Sequence, residues 1–89
     1  MTKKRRKLNK DFERKIYSSK KNVELVLAKI YDIDDEDIQK EYISAFNAVV
    51  YLYDELKEDY ELQGFSDNSK ELLANYKNAF NLFESEFEI

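Results

Sequence analysis

Asp32, Asp34 and Glu36 stand at alternating positions, the spacing with which an EF-hand loop offers its first carboxylates to calcium. The rest of that loop is missing, because Asp37 occupies the place that requires Gly and Ile43 the place of the bidentate Glu. Weak, unspecific cation binding is the expectation, with no resident metal. Paired carboxylates also serve as general acid and base, but only where burial in a cleft drives their pKa values apart. Here six Phe and seven Tyr in an 89-residue chain must fill the interior, leaving the carboxylates outside. The absence of His and Cys removes imidazole bases, thiolate nucleophiles, disulfides and the usual zinc sites. A protein that is not an enzyme and carries no cofactor is expected.

Basic residues offer a different chemistry. Ten lie in the first 21 positions (Lys3, Lys4, Arg5, Arg6, Lys7, Lys10, Arg14, Lys15, Lys20, Lys21) against Asp11 and Glu13, a local charge of +8. The other 68 residues hold 5 Lys and 17 Asp or Glu, a charge of −12, so the net −4 conceals two opposed regions. On a helix, Lys10, Arg14, Tyr17 and Lys21 share the outward face and could track a phosphate backbone. With Lys3, Lys4, Arg5, Arg6 and Lys7 they form a candidate nucleic-acid surface, indifferent to sequence and steeply salt-dependent.

Helices are what must position these groups. The chain has no Pro and a single Gly, so sheet turns have nothing to be made from. Tyr42, Phe46, Val49, Tyr53, Leu56 and Tyr60 recur in steps of 4 and 3, the seam of a packed helix. Leu73, Tyr76, Phe80, Phe83 and Phe87 form a second seam. Phe12, Ile16, Val23, Leu27 and Ile30 form a third, interrupted by Ser19 and the polar stretch 18–22. Helices are expected over about 9–31, 34–62 and 68–87, preceded by a mobile basic arm over about 1–8. Asp34 is the expected cap of the second helix, Asn68 with Glu71 the capping box of the third, and Gly64 the left-handed residue between them. The fold class is all-α, an antiparallel three-helix bundle in one domain, becoming four helices if the first breaks at residues 18–22.

Ile43, Val50, Ala45 and Leu52 widen the apolar face of the second helix to an arc of roughly 180°, which suits a central helix or a homodimer through it. Leu25, Tyr51 and Leu82 point away from the seams on diverging faces, and Tyr51 is the best apolar contact among them. Antiparallel packing brings the basic start of the first helix beside Asp54, Glu55, Glu58, Asp59 and Glu61, which would offset part of its charge. It also brings Asp32, Asp34, Asp35, Glu36 and Asp37 toward Glu84, Glu86 and Glu88, an acidic pole without compensation.

These features point to a small protein-binding module that covers a partner's surface. Inhibitors, immunity proteins and antitoxin-like regulators of phages or plasmids have this size and helical build, although no motif matches residue by residue. The alternative is a nucleic-acid-binding accessory protein. No apolar run approaches the roughly 18 residues of a membrane span, and a cytoplasmic location is expected by default.

Overall fold

Three helices, α1 (Lys10–Tyr31), α2 (Glu36–Gln63) and α3 (Asp67–Glu86), account for most of residues 7–89, the part of the chain that the computed structural model describes. Each starts where a short polar side chain replaces the missing acceptors of the first turn. Asn9 Oδ1 accepts from the Phe12 amide at 3.0 Å to begin α1. For α2 the cap is Asp35, not Asp34: its Oδ1 accepts from the amides of Asp37 (2.9 Å) and Ile38 (3.2 Å). Asp32 still has helical backbone as the last cap of α1, so the turn needs one residue more before the extended cap position is reached.

The start of α3 also differs from the Asn68 and Glu71 expectation. Ser66 Oγ accepts from the Ser69 amide at 3.1 Å while Ser69 Oγ accepts from the Ser66 amide at 2.8 Å, a reciprocal box two residues earlier. Gly64 causes the shift by turning the chain sharply at φ 79° and ψ −158°, a region essentially closed to residues with a Cβ and distinct from the left-handed helical one. Asn68 Nδ2 is left to bond Asp59 Oδ1 at 2.9 Å.

α1 runs unbroken through residues 18–22, so the bundle has three helices. Ser19 is buried in the seam, and its hydroxyl donates to the Lys15 carbonyl at 2.7 Å, which satisfies it without breaking the helix. Counting Ser19, the buried positions of α1 are Phe12, Ile16, Ser19, Val23, Val26 and Ile30, a regular 4-3-4-3-4 stripe. Val26 therefore takes the seam place expected for Leu27, which is only half-buried. Ser69 extends the α3 stripe in the same way, fully buried ahead of Leu73, Tyr76 and Phe80.

α2 is the central helix. It packs most heavily on α3, less on α1, and α1 touches α3 only lightly. Aromatic rings link the layers: Phe46 meets Phe83 edge-on at 4.9 Å, Tyr53 meets Tyr76 at 6.0 Å, and Phe12 meets Tyr60 at 5.4 Å. Ile43, Val50 and Leu52 pack half-buried against this core while Ala45 is exposed, so most but not all of the wide face of α2 is used within the chain. The Asn9 amide donates to the Tyr60 hydroxyl at 3.0 Å and Tyr60 donates to Glu13 at 2.8 Å, tying the start of α1 to the end of α2. Tyr42 and Phe87 meet at 5.4 Å at the other end, so α2 runs antiparallel to both neighbours.

Within the expected basic arm, Lys3, Lys4, Arg5 and Arg6 lie outside the described residues. Lys7 is held: its carbonyl accepts from the Phe65 amide beside Gly64. Phe65 folds back onto Phe12 at 5.1 Å. Phe46, with no exposed surface, should be the most sensitive core position. Phe46→Ala is expected to cost about 3–5 kcal/mol in urea unfolding, against less than ~0.5 kcal/mol for Leu82→Ala on the surface.

Candidate functional site

The antiparallel pairing of α2 and α3 brings the acidic α1–α2 connection and the end of α3 to the same end of the bundle. Asp32, Asp34, Asp35, Glu36, Asp37, Glu84, Glu86 and Glu88 are all exposed there. Some have local roles. Asp35 caps α2, Glu36 and Asp37 face the positive end of its dipole, and Glu86 accepts a short hydrogen bond from the Tyr42 hydroxyl. That bond is the main reason why the Tyr42 pKa is raised, with desolvation and the Glu86 charge adding to it. Glu88 adopts a positive φ of 55° so that the Ile89 amide can return to the Glu84 carbonyl at 3.0 Å, a Schellman-type ending. Among the described residues none of the eight has a cation within 4.0 Å, the two ion pairs being Arg14 with Asp11 and Lys70 with Asp67. No three of the described acidic side chains converge as metal ligands.

Beside this acidic end lies a groove of about 410 Å³ between the first half of α2 and the last half of α3. Ile38, Tyr42, Ala45, Leu82 and Phe83 form its apolar surface, and Glu41 and Glu86 its rim. Leu82 is 73% exposed and Ile38 45%. Leu82 indeed shares no patch with Leu25 or Tyr51, but it does share one with Ile38 and Ala45. Their spacing of seven along α2 marks one face, yet which residue of α3 lies opposite is set by helix register, and the sequence does not state it. Tyr51 is 62% exposed further along α2, where its hydroxyl donates to Glu55 at 2.8 Å and its pKa is raised chiefly by that bond.

The basic ridge of α1 is exposed at Lys10, Arg14, Tyr17 and Lys21, but it divides between two grooves. Arg14 leans toward α3, where it lines a groove of about 560 Å³ with Lys15, Lys77, Glu84, the polar side chains of Ser18, Asn22, Asn78 and Asn81, and the rings of Tyr76 and Phe80. Tyr17 leans toward α2, in a groove with Lys20, Lys57 and Tyr53. Ser18, Ser19 and Asn22 of the polar stretch thus line the α1 side of a channel that Tyr76 and Phe80 also line, and that is left open because α1 and α3 barely touch. At the end of α2, Glu55 is engaged by Tyr51 and Asp59 by Asn68, and Asp59 Oδ2 is buried without a partner. No described cation of α1 lies within ion-pair distance of Asp54, Glu55, Glu58 or Asp59.

No family model matches the chain, no curated protein is significantly similar to it, and no solved structure gives a significant match.

Tyr76 forms part of the α1–α3 channel, almost fully buried, with its hydroxyl 3.3 Å from the Ser19 carbonyl. Burial pushes its pKa up to about 12, against a weaker opposing effect of that bond. The unfolded phenol ionises near pH 10 while the folded one stays neutral, so its stabilising contribution is complete below about pH 10 and lost between about pH 10 and 12. Replacing Tyr76 with Phe should reduce the alkaline loss of stability by about 2 kcal/mol across that window, measured by urea unfolding at stepped pH.

Proposed function

We propose that the chain is a non-catalytic protein-binding module, acting as an inhibitor, immunity or regulatory protein by covering a partner surface with its acidic end. The observation that carries this reading is the set of eight exposed carboxylates at one end, without cations of their own, next to the exposed Ile38 and Leu82. Like charges gathered in this way repel one another, and Glu84 and Glu86 also oppose the dipole at the end of α3, so the capping and dipole roles of Asp35, Glu36 and Asp37 account for only part of the set. A cationic partner surface would turn that cost into attraction. The field would speed encounter, and the apolar surface would govern residence time. No helix among the described residues is long and apolar enough to cross a membrane.

A second reading, a nucleic-acid accessory role, is favoured by one observation: Arg14, Lys15 and Lys77 line one channel between α1 and α3, together with Glu84. The two readings separate experimentally. With Asp34, Asp35 and Asp37 changed to Asn, capture of partner proteins at low salt should fall by about tenfold or more, the difference closing at ~0.5 M salt. An unchanged set of captured proteins removes the acidic end from the mechanism. If nucleic acid is the ligand, mixed-sequence DNA or RNA should bind at low salt, and Arg14→Glu with Lys77→Glu should abolish binding and flatten its salt dependence. Removing residues 1–6 would test the arm while sparing the Lys7 contact to Phe65.

A further inference from the structure

We infer that the groove between the first half of α2 and the last half of α3 seats a short, cationic, amphipathic helix belonging to a partner protein. This rests on the protein-binding reading above and specifies its contact. From Ile38 to Ala45 the lining extends for seven residues, or about 10 Å of helix, so it matches about two turns of an occupant. Ala45 contributes a small, exposed side chain to the same lining as Ile38 and Leu82, leaving room there for larger apolar side chains.

Backbone chemistry selects a helix. An extended peptide gains its affinity by hydrogen-bonding to a sheet edge, and the walls here are two helices whose backbone groups are already paired. A helix satisfies its own backbone and can lay an apolar ridge at i, i+3 or i+4, and i+7 between α2 and α3.

Charge selects the sign. Glu41 and Glu86 rim the groove, and Asp34, Asp35 and Asp37 extend the negative field past Ile38. Lys40 is the nearest cation along α2, but at 100° per residue it stands roughly opposite Ile38 on the helix. Lysines or arginines bordering an apolar ridge would therefore meet carboxylates on both sides.

A second copy of this chain does not fit. Its cationic helix, α1, has its apolar stripe of Phe12, Ile16, Val23, Val26 and Ile30 in its own core, leaving Tyr17, Leu25 and Tyr31 as large exposed apolar residues, which do not follow the i, i+3 or i+4, i+7 spacing of such a ridge. Residues 1–6 contain Met1 as their sole apolar side chain.

The test uses the full chain and a fluorescent 18-residue peptide of Leu and Lys arranged as an amphipathic helix, with a shuffled peptide of identical composition as control. At ~0.15 M salt the amphipathic peptide should bind about tenfold or more tightly than the shuffled one. Ala45→Trp, which fills the groove without altering charge, should weaken its binding about tenfold or more. Leu82→Glu is the decisive variant, because it adds a carboxylate while removing apolar surface. Purely electrostatic attraction would tighten binding to it, whereas groove occupancy requires weakening. Both positions are exposed, and an unchanged thermal transition would show that the fold is intact. Equal affinity for the shuffled peptide, or unweakened binding to Leu82→Glu, overturns the proposal. The broader reading is judged separately by partner capture. Loss on changing Asp34, Asp35 and Asp37 to Asn but not on Ala45→Trp would retain the acidic end and reject the groove, while loss with neither would reject both.

Discussion

α2 has to bury apolar surface on two sides at once, and the arrangement of the whole molecule depends on this. Its seam of Phe46, Val49, Tyr53, Leu56 and Tyr60 is shared, with Phe46 and Tyr53 meeting rings of α3 while Tyr60 meets Phe12 of α1. Because each neighbour is satisfied by α2, α1 and α3 have little reason to meet. The channel between them, lined by Tyr76 and Phe80 as well as by Ser18, Asn22 and Asn81, follows from that economy of contact. So does the placement of charge. Two antiparallel connections put the start of α1 at one end of the bundle and the acidic loop with the end of α3 at the other.

The heptad-like spacing of apolar residues made the fold legible, since three amphipathic stripes with almost no Gly or Pro admit few arrangements other than a bundle. Polar members of the stripes were harder to interpret. Ser19 looked like a break and is a seam residue whose hydroxyl is absorbed by the preceding turn; Ser69 plays the corresponding part at the start of α3. Caps were legible as a kind of residue but not as a position. Several short polar residues stand side by side, and the backbone turn at Asp32 or Gly64 decides which one becomes the cap.

The candidate site was legible only in part. The meeting of the acidic loop with Glu84, Glu86 and Glu88 follows from antiparallel topology, which helix lengths and short connections imply. The groove did not follow, because Ile38, Ala45 and Leu82 become one surface only through the relative rotation and register of α2 and α3. The same limit applies to the basic ridge. Lys10, Arg14, Tyr17 and Lys21 share a face of the isolated helix, yet neighbouring helices divide that face into one groove beside Lys77 and another beside Lys57.

At the acidic end the exposed Ile38 and Leu82 lie beside Glu41 and Glu86, and the functional account stands on that coincidence of charge and apolar surface. Its most direct test is a titration of the isotopically labelled chain with the Leu and Lys peptide, following each backbone amide by NMR. The account predicts that the shifted amides cluster in residues 38–45 of α2 and 82–89 around the end of α3. Shifts spread over the acidic surface without that cluster, or centred on α1, would contradict it.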